Sequence, residues 1–289
     1  MAQPVTTGGE RADDEGPRPV VSEPGPRSWS RAFGDLGQGW RQRPLWGYLG
    51  WQDIKQRYRR SVLGPLWISI TMAVVATAMG FLYGALFGEP IQTFLPYVAT
   101  GLLIWNFING CIIEGSEVFI ANEGLIRFLP APLSLHVYRL VWRQTLFFLH
   151  NLVVWAVLMV VFPRPLGVEV LLAIPAFGLL MLNGAWIAIL AGIVATRFRD
   201  IPPIIASLSQ LLFFMTPIVW SYERLRGNPM AAYIELNPVM HFVEILRQPL
   251  LGEPILGRHW AVAGAITVAG VAVALVALRN YRSRVAYWV

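Results

Sequence analysis

Six stretches of this chain run for 19 to 27 residues without one Asp, Glu, Lys or Arg: Leu63–Phe87, Phe94–Ile113, Gln144–Phe162, Val170–Thr196, Ile201–Trp220 and Trp260–Leu278. A helix of about 20 apolar residues crosses the roughly 30 Å hydrocarbon core of a bilayer. The pattern therefore predicts an all-α integral membrane protein with six transmembrane helices. Hydrophobic residues are 55% of the chain and charged ones 14%, too few charges for a soluble surface. The fifth stretch is the most interrupted, by Pro202, Pro203 and Pro217. Asp200 ahead of Ile201 and Pro202 nevertheless reads as a helix cap with prolines tolerated in the first turn.

The net charge of +6 is carried by 22 Arg and a single Lys, Lys55. Because these cations flank the apolar stretches, the basic balance points to a membrane surface and not to nucleic acid. Such heavy use of Arg suits a GC-rich bacterial genome. With the N-terminus inside, 18 Lys and Arg fall on the inner side and 5 on the outer side, so both termini are expected in the cytoplasm. Cys111 is the sole cysteine, which excludes a disulfide within the chain.

Residues 1–35, rich in Gly, Pro, Arg and acids, read as a disordered cytoplasmic tail ahead of one transmembrane domain over 36–289. Over 45–61, Leu45, Trp46, Tyr48, Leu49, Trp51, Ile54 and Tyr58 fall mostly on one helical face, and Lys55, Arg57, Arg59 and Arg60 crowd the end. That is an amphipathic helix lying among membrane lipid headgroups. Between the second and third stretches, Asn122–Pro130 places a short apolar segment on the inner side, either a partner contact or a segment resting on the membrane. On the outer side, Asn237 and Pro238 form a helix start before Val239–Leu251, a run too short to span that holds Glu244 and Arg247. Short re-entrant helices before the last span fit this pattern.

Several chemistries are missing. The lone lysine follows Ile54, so no P-loop can be built and no ATP site of that kind exists in the chain. His136, His150, His241 and His259 are scattered, and His150 reads as a hydrogen-bonded packing residue. No metal site and no catalytic residue is expected. The six stretches lack acidic or basic residues in their centres, of the kind that couple ions to transport. Glu114 and Glu117, at the inner end of the second, read as a solvated helix end or an entrance lining. Energy for any uphill transport is thus expected from another subunit.

Four motifs in order carry a resemblance: Arg57-Tyr58-Arg59-Arg60-Ser61-Val62-Leu63-Gly64-Pro65-Leu66-Trp67, Arg197-Phe198-Arg199-Asp200-Ile201, Thr216-Pro217-Ile218-Val219-Trp220, and Asn237-Pro238 with Arg247. From about Leu45 to the C-terminus the chain resembles bacterial ABC-2 type polysaccharide-export permeases. The resemblance implies a plasma-membrane homodimer, with each permease binding one separate ABC-type ATPase that carries ATP and Mg, so that the complex holds two of each. It implies export of a polyprenyl-pyrophosphate-linked glycan, of O-antigen type or a cell-wall galactan. It further implies that Leu125, Ile126, Arg127 and Phe128 lie in a coupling helix docked on the ATPase, and that Asn237, Pro238 and Arg247 belong to an outer gate.

Within that reading, Arg57, Arg59 and Arg60 are placed to meet the lipid pyrophosphate at the inner entrance. Trp67, Tyr83, Phe87, Phe213, Phe214 and Trp220 are candidates to line the channel, or equally packing residues. Two alternatives stand beside it. A drug exporter of the same architecture would carry similar motifs. A membrane glycosyltransferase would need clustered acids, whereas Glu223, Glu235, Glu244 and Glu253 are dispersed along the outer segments.

Overall fold

The computed structural model describes residues 27–289 except 60, 129, 130 and 226, and the regular structure among them is helical throughout. In chain order the helices are α1 Trp29–Arg41, α2 Arg43–Arg57, α3 Leu66–Phe87, α4 Ile91–Ser116, α5 Glu123–Phe128 and α6 Leu133–Val161. They continue with α7 Ala173–Arg197, α8 Ile201–Met215, α9 Met230–Glu235, α10 Pro238–Leu251 and α11 Gly257–Trp288. Five helical segments are long and apolar enough to cross a membrane: α3, α4, α6, Val168–Arg197 and α11.

The fifth apolar stretch departs from expectation. Its helix, α8, has 15 residues and stops at Met215, about 22 Å of axis against a 30 Å core. Pro217 removes the amide that the next turn would need, and Thr216–Val219 continue as buried bends. The chain still changes sides here. At one end of the bundle, called basal, the Asp35 carboxylate of α1 accepts from Leu133 and Ser134 N–H at the start of α6 and from Arg282 near the end of α11. Arg197, ending α7, lies 5.2 Å from the Trp288 ring at the same end. At the opposite, distal end the Tyr97 hydroxyl at the start of α4 donates to the carbonyls of Pro217 and Trp220. Non-helical backbone at such depth is tolerated because it is buried in protein.

α4 is the central helix and touches α3, α6, α7, α8 and α10. Small residues set its approach to α7: a Cβ on Gly115 would lie 3.0 Å from the Ala188 backbone, and one on Gly184 would meet the Cys111 sulfur at 2.7 Å. Lipid offers no hydrophobic drive for helices to associate, so close packing of this kind has to supply it. Phe107, Phe148 and Phe177 fill the seam between α4, α6 and α7, with the latter two rings stacked 4.3 Å apart.

Two N-terminal expectations are corrected. The predicted disordered tail over 1–35 ends sooner, because α1 begins at Trp29; residues 1–26 lie outside the described part. α1 is fixed by burial of Ala32, Asp35 and Gly39 against α6, which is where the Asp35 hydrogen bonds go. The helix predicted over 45–61 is α2 and stops at Arg57. Its apolar residues also divide. Ile54 is buried, Gly50 is buried where it abuts Trp142 of α6, and Leu45, Tyr48 and Trp51 are exposed.

Candidate functional site

The basal site grows from α2 meeting α6. Gly50 leaves room for the Trp142 ring, and one turn later Asp53 reaches two arginines of α6. Arg139 donates to Asp53 from Nε at 2.9 Å and Nη2 at 2.5 Å, and Arg143 from Nη1 at 2.8 Å. Arg143 also donates to Glu114 of α4 at 2.5 Å, and the Arg57 guanidinium stands 3.9 Å from the same carboxylate. Glu114 is therefore ion-paired and not the freely solvated helix end expected, while Glu117 is exposed. Burial pushes the Asp53 carboxyl up, but the two arginines outweigh it and hold the group below its ordinary value. Alternating charge thus ties α2, α6 and α4 together.

A cleft of about 320 Å³ runs from this network between α3, α4 and α6. Arg57 stands at its mouth, 5.0 Å from the Phe147 ring, and Asn106, Gln144 and Asn151 line it deeper down. A second, basal cavity of about 280 Å³ shares Arg57 and adds Glu114, His136, Arg139 and Arg143. Arg59 is exposed and joins neither cavity, and Arg60 lies outside the described residues.

The four residues expected to dock a partner sit on α5. Arg127 donates to the Val289 main-chain oxygen and Ile126 packs against a core formed by α6 and α7, which leaves Leu125 and Phe128 pointing outward, Phe128 at 84% exposure. α5 is therefore a short basal helix with two free apolar side chains, anchored to the end of α11.

The aromatic candidates scatter. Trp67 and Phe214 are exposed, at opposite ends of the bundle. Tyr83, Phe87, Phe213 and Trp220 are partly buried against the main core, with Phe213 5.5 Å from Trp105. What is uncovered is α8 itself. Of its 15 residues only Ser209 is buried, its hydroxyl donating to Asn109 of α4 at 2.6 Å. Next to it, mid-helix, Gln210 is exposed.

At the distal end α10 is buried from Val239 to Leu251. The Asn237 side chain accepts from Val239 N–H as the cap and donates to the Thr216 hydroxyl at 2.9 Å, tying the helix start to the bend after α8. Arg247, with no exposed surface, donates to the Pro217 carbonyl at 2.8 Å and to Glu244 at 2.9 Å, and lies 4.0 Å above the Tyr97 ring. Asn237 and Arg247 of the expected trio are thus brought onto the single segment Thr216–Pro217, while Pro238, the first residue of α10, is exposed.

The expectation of dispersed acids is overturned here, because Glu223, Glu235, Glu244 and Glu253 all line one distal cavity of about 620 Å³. Glu235 accepts from Arg258 and from the Tyr222 hydroxyl, and Glu244 from Arg247. Among the described residues no three His, Cys, Asp or Glu converge as a metal set. His150 is hydrogen-bonded as expected, to the Leu146 carbonyl at 2.7 Å.

Sequence reading passed over Asp53, Arg139 and Arg143. A signal existed, since Arg139 and Arg143 share a helix face at i and i+4 and Asp53 is the one acid in 45–61.

Comparison with known proteins gives a consistent answer. The profile described as ABC-2 type transporter matches residues 44–251. An O-antigen export system permease protein RfbA of Klebsiella pneumoniae is 24% identical over 229 residues, covering 77% of this chain and 87% of that one. The protein of that name from Myxococcus xanthus is 25% identical over 191 residues, covering 65% of this chain and 73% of its own.

Proposed function

Because the chain belongs to the ABC-2 type transporter family, we propose that it is the permease subunit of an ATP-driven exporter of a lipid-linked polysaccharide in a bacterial inner membrane. The cargo class rests on relatives named as O-antigen export permeases. Within that class an O-antigen type glycan or a cell-wall galactan is the cargo we favour. The basal end is the cytoplasmic one by the Lys and Arg bias, so export runs from basal to distal.

One observation carries the mechanism. α8 is a shortened helix with a single buried residue and an exposed amide, Gln210, at its middle. A polar side chain facing hydrocarbon is costly, so this helix calls for protein or water beside it. One chain offers neither, whereas a second copy related by two-fold symmetry covers both α8 helices at once. The polymer would then pass between the copies. ATP-driven closure of two separate ATPases would act on Leu125 and Phe128 of each α5, and the ion-paired α2 and α6 would carry the displacement to α4. At the far end Arg247 and Asn237 hold the bend after α8, where they can close the exit. Arg57 would hold the lipid pyrophosphate at the entrance.

The test is purification of the tagged protein from its native membrane in mild detergent. The expected result is a homodimer with stoichiometric ATPase, and a lipid-linked glycan that accumulates inside when the permease is depleted. A permease recovered without ATPase under every detergent condition would overturn the proposal.

A further inference from the structure

We infer that the cleft between α3, α4 and α6 is a sugar subsite, in which neutral amides read the carbohydrate next to the lipid pyrophosphate; this rests on the lipid-linked reading above. Three amides line the cleft at membrane depth: Asn106 of α4, and Gln144 and Asn151 of α6. Gln144 and Asn151 are 4% and 5% exposed, and Nε2 of the first and Oδ1 of the second have no hydrogen-bond partner among the described residues. Asn106 is exposed and donates to the Met72 sulfur at 3.4 Å. Buried amides left unsatisfied are uncommon in native proteins and call for an explanation. Here Gln144 and Asn151 both line a void of about 320 Å³, within the span of small-molecule sites, about 300–1,000 Å³.

The chemistry of the wall selects the ligand. Cations or carboxylates deep in the cleft would call for a charged ligand, but the charged side chain that lines it, Arg57, is at the mouth. Amides offer a donor and an acceptor at one end each and can be turned over, which matches vicinal hydroxyls that also do both. Gln144 and Asn151 stand seven residues apart, about 10 Å along α6, with Phe147 between them. That spacing suits one or two sugar rings lying across an aromatic face, with the phosphate end held by Arg57.

The experiment uses the permease–ATPase complex in lipid nanodiscs and two probes, farnesyl diphosphate alone and farnesyl diphosphate bearing one hexose on its terminal phosphate. Wild type should bind the hexose-bearing probe about tenfold more tightly, the worth of one to two hydrogen bonds. Gln144→Leu and Asn151→Leu should each bring the ratio toward one while leaving the bare diphosphate within about twofold. Both variants should melt no lower than wild type, having lost an unpartnered group; if one fails to fold, the other carries the measurement. Arg57→Gln should weaken both probes together. Equal affinity of wild type for the two probes, or a ratio untouched in both leucine variants, overturns the sugar subsite alone. Failure of either probe to bind at all overturns the lipid-linked reading, and the subsite with it.

Discussion

Replacing Arg247 with methionine keeps most of the side-chain volume in α10 and removes only the charge and its donors. Three things then change at once. The Pro217 carbonyl loses its 2.8 Å donor, the Tyr97 ring loses its cation, and Glu244 loses the 2.9 Å partner that balances it. Breaking a buried pair by removing one member costs about 3–5 kcal/mol, because the surviving charge is stranded. Glu244 lines the distal cavity and keeps Gln248 at 3.4 Å, so some solvation and one weak bond remain. That places the expected loss at the lower end, about 3 kcal/mol. Denaturant unfolding in nanodiscs reads it directly. The double variant Arg247→Met with Glu244→Gln removes the stranded charge and should recover at least half of the loss, a coupling of about 1.5 kcal/mol or more. A single variant within about 1 kcal/mol of wild type, or a double variant equal to the sum of the two singles, would refute the argument that Arg247 acts through charge pairing.

The remaining predictions concern other parts of the molecule. Because the Asp53 carboxyl is held below its ordinary value, its contribution to α2 docking is complete above the unfolded-state pKa of about 3.9 and is lost as pH falls through the lower folded value. The hydrogen-exchange protection of α2, taken relative to free peptide at each pH, should therefore be flat from neutral pH to about 4 and fall below it, and Asp53→Asn should show the lowered protection already at pH 7. Leu125→Asp and Phe128→Asp, both exposed, should leave the melting midpoint unchanged but abolish recovery of the ATPase by at least about tenfold. In a Cys111→Ser background, Gln210→Cys should be labelled by a water-soluble maleimide or cross-linked between copies, whereas Val153→Cys, on the exposed face of α6, should do neither. Equal labelling of the two would remove the case for a covered α8.

The spans were legible because a charge-free run of 19 residues has few other fates, and α10 because Asn237 and Pro238 announce a helix start. α1 was missed although Trp29, Phe33, Leu36 and Trp40 repeat at helical spacing, because Gly34, Gly37 and Gly39 lower the local propensity. What fixes that helix is Asp35 bonding to Leu133 and Ser134, about a hundred residues away. The site suffers the same limit. Asp53, Arg139, Arg143 and Glu114 come from three separate helices, and their pairing belongs to the packing. The four distal glutamates look scattered along the chain because α9 and α10 fold back over the bundle. Asn106, Gln144 and Asn151 read as isolated polar residues in apolar runs, and no local pattern tells that they face one void.

The position of α10 also dictates an order of assembly. Its buried surface is walled by α4, α7 and α11, and α11 is synthesised after it. Until the ribosome has passed α11, that pocket does not exist. A 14-residue helix bearing Glu244 and Arg247 is too short and too polar to be released sideways into lipid. It must wait in the water beyond the distal surface and dock when α11 arrives, so the last step in the assembly of this chain is the closing of its distal end.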